Sequence, residues 1–180
     1  MKNVFFALIA SAALLSCSQP KQEQQEATPV AEAKPQPVEF GDSKYMAIGK
    51  EGIAALASGD VDTWMKAFAD NAKFNWSSGD SLVGKKTISD YWTERRGKVI
   101  DKMTVSKDIW LVLKVNQPQH NEAPGIWLMS WYQVEPTYKN GAKLKFWVHT
   151  LMHFDASDKI DQTIQFIDRG PIAAALAKKK

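Results

Sequence analysis

The feature that most constrains the fold of this chain is a change in hydrophobic periodicity near residue 100. Before that point apolar residues recur at the three- and four-residue spacing of one helical face, as in the series Val61, Trp64, Met65 and Phe68. After it the spacing becomes two, as in the series Ile109, Leu111, Leu113 and Val115. Helices followed by a run of strands predict an α+β fold rather than alternating βαβ units.

Three helices are predicted in the first half of the chain. The first begins after Asp42 or Ser43, either of which can act as an N-cap. It ends at Gly59, which suits a left-handed C-terminal position, and Asp60 then caps the second helix. The third helix is expected over about residues 85–96.

A short hairpin is predicted around residues 77–79, and four longer strands follow in the second half. These strands cover about residues 109–115, 126–135, 143–154 and 159–168. The connections contain Asn140-Gly141 and Ser157-Asp158, which suit tight hairpin turns. Because the chain has seven tryptophans to bury, we expect a curved antiparallel sheet wrapped on the three helices.

An apolar run near the start of the sequence ends in the single cysteine. Residues 4–15 follow Lys2 and are interrupted only by Ser11. The run is too short to cross a bilayer as a helix, which takes about 20 residues, and it has the length of a signal-peptide core. Its end, Leu14-Leu15-Ser16-Cys17, resembles the lipobox of bacterial lipoproteins.

The lipobox resemblance implies that Cys17 becomes the lipidated first residue of the mature protein and anchors it in a lipid bilayer. The expected location is the cell envelope, and the choice between inner and outer membrane stays open. The alternative is a membrane-anchored or ordinarily cleaved segment in which Cys17 is incidental.

Residues 18–40 contain four of the eight prolines, five Gln and four Glu. Such a segment has too little apolar surface to offset the entropy of ordering, so a disordered tether is predicted. The expected organisation is a signal peptide over 1–16, lipidated Cys17 and tether over 17–40, a globule over 41–176, and a basic tail over 177–180.

The charge of the chain favours no nucleic-acid partner. Its formal net charge is only +3, and the densest basic run is the last three lysines. Only three residues are arginine, the side chain best suited to reading phosphates.

Residues 55–92 are similar to the opening of nuclear transport factor 2-like (SnoaL-like) domains. Those domains show a helix, a break like Gly59-Asp60, a second helix, an Asp followed by a short β segment, and a Gly-Lys that begins the third helix. The last two features correspond to Asp70 and Gly84-Lys85. Residues 159–168 resemble the family's last strand, so the resemblance covers about residues 41–170 and implies a cone-shaped α+β domain of cystatin-like type.

The resemblance implies a range of activities rather than one. The family includes ketosteroid isomerases, dehydratases, epoxide hydrolases, polyketide cyclases and many members without known chemistry. Catalytic members place an Asp, His or Arg inside the cone, and polyketide cyclases carry an acidic residue on the last strand. The corresponding run here contains Thr163 and Gln165, and a neutral amide at Gln165 cannot accept a proton. This departure argues against a cyclase or isomerase mechanism.

Two histidines are the best candidates for chemistry. His149 and His153 share one face of the predicted strand 143–154, and if that face lines the cone they are its main polar groups. Four strand residues separate them by about 13 Å, so no shared metal is predicted. Asp168 matches the strand-ending Asp of the family, and His149 with Asp168 is the preferred catalytic pair. Structural or solvent-facing histidines are the alternative.

Three tryptophans form the best candidate patch for an apolar ligand. Trp127 and Trp131 alternate on one strand, and Trp147 could be their cross-strand neighbour. The alternatives for these rings are the core or a dimer face.

Three hypotheses follow from these residues. The first is a lipid-anchored envelope protein, expected to be a homodimer, whose domain binds a small apolar ligand without catalysis or cofactor. The second is an enzyme of the isomerase, dehydratase or hydrolase type, and the third is a protein-interaction module.

Overall fold

The computed structural model describes residues 35–177. The predicted signal peptide, Cys17 and most of the predicted tether lie outside the described residues, as does the tail from residue 178. Within residues 35–177, no helix is both long and apolar enough to cross a membrane.

The described chain forms four α-helices, one π-helical segment and seven strands. The helices are α1 (Lys44–Ser58), α2 (Val61–Met65), α3 (Lys85–Glu94) and α4 (Gly170–Ala177), and the π-helical segment is Arg95–Val99. The strands are β1 (Val38–Phe40), β2 (Phe68–Trp76), β3 (Ser81–Val83), β4 (Ile100–Val115), β5 (Gly125–Tyr138), β6 (Phe146–Phe154) and β7 (Ile160–Phe166).

The first helix and its C-terminal break agree with the sequence prediction. Helix α1 buries Tyr45, Ile53 and Leu56 on one face. Gly59 adopts φ 93°, the left-handed conformation that a residue without Cβ reaches at little cost. Asp60 caps α2 by accepting a hydrogen bond from the Thr63 amide at 2.9 Å.

Two helix ends differ from the prediction. Helix α2 stops at Met65, and Phe68, predicted on its apolar face, begins strand β2 and is buried there opposite Ile160 of β7. Tertiary pairing therefore overrides the helical spacing of this apolar residue. Helix α3 ends at Glu94 and continues as the wider π-helical segment.

The seven strands form one curved, unclosed sheet in the order β1-β4-β5-β6-β7-β2-β3. The predicted antiparallel meander is present, since β4, β5, β6 and β7 pair in sequence as antiparallel neighbours. One pair differs: β2 runs parallel to β7. No hairpin joins these two strands, so nothing in the connection imposes the antiparallel orientation.

The predicted tether ends earlier than residue 40. Strand β1 pairs with β4 and forms one edge of the sheet, with Val38 opposite Val115 and Phe40 opposite Leu113. The Pro37 carbonyl also accepts a hydrogen bond from the Asn116 amide at 2.9 Å. Composition alone missed this strand because backbone hydrogen bonds to a sheet edge need little apolar content.

The sheet has two faces with different environments. The inner face packs on α1 and the other helices, and its residues include Val112, Leu128, Tyr132, Val148 and Met152, all part of the hydrophobic core. The residues that alternate with these along the same strands point to the outer face.

A close approach of α1 to the sheet depends on Gly49. A Cβ at this position would lie 2.7 Å from Cζ3 of Trp110 and would also overlap Leu128. Helix α1 can therefore pack this near β4 and β5 only because the side chain is a hydrogen.

Replacing Gly49 with alanine should destabilise the domain by about 1–3 kcal/mol, because the added methyl forces the core apart. This is opposite to the usual effect of Gly→Ala in a helix, which stabilises by roughly 0.5–1 kcal/mol. Urea unfolding followed by tryptophan fluorescence measures the change. Gly97→Ala is the control, since a Cβ at that position would have no packing neighbour within 4 Å in the described chain, and it should be neutral or slightly stabilising. Equal effects of both changes would contradict the packing argument.

Candidate functional site

A small cavity lies inside the cone, between the inner face of the sheet and helices α1 and α3. Its volume is about 70 Å³. Its walls are mainly apolar and include Ile53, Leu56, Trp92, Val105, Tyr132, Val134, Phe146 and Val148. We call this space the inner cavity.

A second space, which we call the outer cavity, adjoins the inner one, and the two are open to solvent to a similar extent. Its volume is about 190 Å³. The two cavities share walls formed by Trp92, Arg95, Gln165, Ile167 and Ile172. Helix α4, which the sequence analysis did not predict, supplies the far wall of the outer cavity through Ile172, Ala173 and Leu176.

Neutral polar groups line the junction of the two cavities. Gln165 is 8% exposed, and its Oε1 accepts a hydrogen bond from the indole Nε1 of Trp76 at 3.2 Å. The Tyr132 hydroxyl lies 3.1 Å from the Thr150 hydroxyl. Burial raises the pKa of Tyr132, and hydrogen bonds with Thr150 and Gln165 partly offset that increase. These groups stay uncharged at neutral pH.

Arg95 is the charged group at this junction. It is the first residue of the π-helical segment, is half-buried, and lines both cavities. Its guanidinium carbon lies 5.7 Å from the centre of the Tyr91 ring. Burial raises the pKa of the cavity residue Tyr138, and the positive charge of Arg95 acts in the opposite direction.

The outer face, not the inner one, carries Trp131, Trp147 and His149. On β6 the inward positions are Val148, Thr150 and Met152, so the odd-numbered residues point away from the cone. Trp131 pairs with His149 across β5 and β6, with ring centres 4.4 Å apart, and His149 Nδ1 lies 2.9 Å from the Ser130 carbonyl oxygen. The expectation that these three residues line the cavity is therefore wrong.

Trp127 and His153 also lie on the outer face, where loop 116–124 covers them. His153 Nδ1 is 2.6 Å from Asp161 Oδ1, and its Nε2 is 3.0 Å from the Pro124 carbonyl oxygen. Trp127 Nε1 donates to the Ala123 carbonyl at 2.8 Å. These two side chains hold the loop against the sheet and line neither the inner nor the outer cavity, although Trp127 lines an open apolar groove on the outer face.

The remaining two predicted pocket residues, Thr163 and Asp168, lie in different environments. Thr163 is on the inner face and 2% exposed, but it does not line either cavity. Asp168 is exposed beyond the end of β7, where its Oδ1 accepts a hydrogen bond from the Gly170 amide at the start of α4. The predicted catalytic pair of His149 and Asp168 is therefore not assembled, and of the eight predicted pocket residues Gln165 lines the cavities.

Sequence reasoning missed Arg95, Tyr138 and helix α4. A usable indication of α4 was present, because Gly170-Pro171 followed by a run of helix-forming alanines is typical of a helix start. No comparable sequence pattern indicated that Arg95 lines the cavities, because the direction of its side chain depends on the π-helical segment. No group of three or more His, Cys, Asp or Glu side chains able to hold a metal ion occurs in residues 35–177.

A separate feature is the apolar surface on the outer face of the sheet. Adjacent strands align Leu111, Met129, Leu151 and Ile164 in one row, and Ile109, Trp131, His149 and Phe166 in the next. We define these two rows and Trp147 as the outer apolar patch. Ile109, Trp147 and Phe166 are 54%, 49% and 44% exposed, so the patch is open to solvent.

Comparison with known proteins identifies the architecture. No family model matches the chain. No curated protein matches it either. An NTF2-like protein of unknown function from Burkholderia pseudomallei aligns with a TM-score of 0.61 and 12% identity over 76% of this chain and 100% of that one.

Two further solved structures are similar. An LEH-like epoxide hydrolase from M. tuberculosis has a TM-score of 0.53 and 15% identity, covering 76% of this chain and 98% of its own. A hypothetical protein with a ketosteroid isomerase-like fold from Catenulispora acidiphila has a TM-score of 0.53 and 12% identity, covering 71% and 90%. Together with the sheet order and the cone cavity, these likenesses establish that residues 35–177 have the nuclear transport factor 2-like fold.

Proposed function

We propose that the domain binds a small, slender apolar ligand in the cone and does not transform it. The observation that carries this proposal is the composition of the cavity walls. Among the described residues that line the inner and outer cavities, none is a carboxylate or a histidine. Gln165 stands where the resemblance puts the catalytic base, and it cannot take up a proton at neutral pH.

The size of the cavities limits the ligand. Binding pockets for drug-sized molecules typically have volumes of about 300–1,000 Å³. The inner cavity has only about 70 Å³, and the outer cavity adds space that opens to solvent. A narrow chain fits this shape better than a broad ring system, and each buried CH₂ would contribute about 0.8 kcal/mol.

The enzyme alternative has less support. An isomerase-, dehydratase- or hydrolase-type reaction with His149 and Asp168 needs both groups near one point. His149 lies on the outer face of the sheet, and Asp168 is exposed at the start of α4. The solved structures of similar fold include an epoxide hydrolase, but this likeness concerns architecture alone.

Filling the inner cavity should weaken ligand binding. Val105 lines it and is half-buried, so Val105→Phe adds a ring that competes with the ligand for space. We expect the affinity for 1-octanol, measured by isothermal titration calorimetry, to fall about tenfold, which corresponds to about 1.4 kcal/mol.

Val83→Phe is the matched control, because Val83 is 59% exposed on the short strand β3. It should bind 1-octanol like the unmodified protein. Circular dichroism checks that both variants fold. Unchanged binding by a folded Val105→Phe protein would argue against the cone as the ligand site, and no binding by the unmodified protein would refute the proposal.

We also propose that the domain is carried on a lipid anchor at Cys17 in the cell envelope. The support is the position of the single cysteine at the end of a short apolar run, after Leu14 and Ser16. Residues 18–34, rich in proline and glutamine, then separate the anchor from the globule.

Replacing Cys17 with serine should remove the protein from membranes, because serine cannot form the thioether that carries the lipid. In a bacterial host, Triton X-114 extraction should place the unmodified protein in the detergent phase and the Cys17→Ser variant in the aqueous phase. Ser18→Ala is the control and should partition like the unmodified protein. A Cys17→Ser variant that remains with the detergent would contradict lipidation at this residue.

We propose in addition that the outer apolar patch is covered by a second copy of the chain. Its two rows contain no Asp, Glu, Lys or Arg, so two identical copies can meet there without repulsion between such side chains. A typical interface buries about 800 Å² on each partner and has an apolar centre with a polar rim. The aligned rows would form that centre.

Replacing Leu111 with glutamate should dissociate the dimer, because it places a buried and unpaired carboxylate in the interface, at the β4 end of the patch. Sedimentation equilibrium should show a shift to monomer of tenfold or more in the dissociation constant. Val83→Glu, an equally charged change at an exposed position outside the patch, should leave the dimer intact. A monomeric unmodified protein, or equal effects of the two changes, would refute this interface.

A further inference from the structure

One of the three arginines has neither an ion-pair partner nor a hydrogen-bond acceptor among the described residues. Arg169 pairs with Asp80, and Arg96 donates to the Ala57 carbonyl at 3.0 Å. Arg95 makes no hydrogen bond or ion pair with any residue in 35–177, apart from its ring contact with Tyr91. Its guanidinium nitrogens keep contact with solvent and have no acceptor among the described residues, so they are free to donate hydrogen bonds to an anionic ligand.

The position of Arg95 makes this charge available to a ligand. The residue lines the shared wall of the inner and outer cavities, and its guanidinium lies over the ring of Tyr91, which also lines the outer cavity. None of the described residues that line either cavity is acidic, so no carboxylate of the chain competes for it there. Burial among apolar walls strengthens its attraction for an anion relative to water.

A second polar group at the same junction also lacks a partner. The indole N–H of Trp92 is buried with no hydrogen-bond acceptor among the described residues, and Trp92 is 9% exposed and lines both cavities. Gln165, in contrast, already accepts from Trp76. The junction therefore offers unpaired donors and no unpaired acceptor, which is the pattern that suits an oxyanion.

We propose that the ligand of the cone is a slender amphipathic carboxylate, with its apolar chain in the inner cavity and its carboxylate on Arg95. A monoanion fits because the junction holds one unneutralised cation, Arg169 being paired with Asp80. A planar carboxylate can take two parallel hydrogen bonds from one guanidinium. This inference rests on the proposed function and adds the chemical class of the ligand to it.

The test compares octanoate with 1-octanol, which has the same chain length and no charge, at about pH 7 by isothermal titration calorimetry. The unmodified protein should bind octanoate at least about tenfold more tightly than 1-octanol, as expected for charge-assisted hydrogen bonds. Arg95→Gln should remove this preference, so that the variant binds octanoate no more tightly than it binds 1-octanol. Arg95→Lys, which keeps the charge but not the bidentate geometry, should bind octanoate with intermediate affinity.

Lys98→Gln is the matched control for loss of one positive charge. Lys98 belongs to the same π-helical segment, is exposed, pairs with Glu94 at 3.3 Å and lines neither cavity. An equal loss of octanoate affinity in this variant would attribute the effect to net charge and overturn the assignment to Arg95. Melting curves of all variants separate a binding defect from a folding defect.

The outcomes distinguish the two proposals. Equal binding of octanoate and 1-octanol, unaffected by Arg95→Gln, overturns the carboxylate inference and leaves the apolar ligand site standing. Failure of both compounds to bind refutes the ligand site itself and the inference with it. A preference for octanoate that disappears only when Arg95 is changed supports both.

Discussion

The packing of aromatic rings at one end of the cone is the interaction on which the rest of the structure depends. Trp64 of α2 lies 4.9 Å from Phe68 of β2 and 5.6 Å from Trp92 of α3, with edge-to-face geometry in both contacts. Tyr91 and Trp76 extend the same cluster at 5.2 Å. Each such pair contributes about 0.5–1.5 kcal/mol beyond the burial of its surface. The cluster joins α2, β2 and α3, and by filling one end of the cone it leaves only narrow cavities beside Trp92.

Alternation along the central strands then gives the sheet two distinct surfaces. Large side chains occur at both odd- and even-numbered positions of β5 and β6. The even-numbered Tyr132 and Val148 lie in the core, and the odd-numbered Trp131 and His149 lie on the outer face. A shift of one residue would exchange these sets. One sheet thus supplies the wall of a cavity on one side and an apolar surface, accessible to a partner, on the other.

The π-helical segment after α3 determines where positive charge enters the site. Its wider turn leaves consecutive arginines in different environments: Arg96 donates to the Ala57 carbonyl at the end of α1, and Arg95 lines the junction of the cavities. Single π-helical turns occur often at functional sites because they redirect side chains without ending the helix. With Gln165 neutral and Asp168 exposed beyond β7, Arg95 is the charged residue that lines both cavities, and the proposal of an anionic ligand rests on this position.

The sequence by itself determined the succession of three helices followed by the antiparallel strands β4 to β7, the break at Gly59-Asp60 and the neutral amide at Gln165, because these depend on local periodicity, capping and residue chemistry. It could not determine which face of β6 points inward, because both faces carry large side chains. One face carries Trp147 and His149, and the other carries Val148 and Met152. Only the tertiary structure decided that, through the packing of α1 against β4 and β5. Tertiary structure also decided the parallel pairing of β2 with β7 and the docking of α4, because each depends on contacts between segments far apart in the chain.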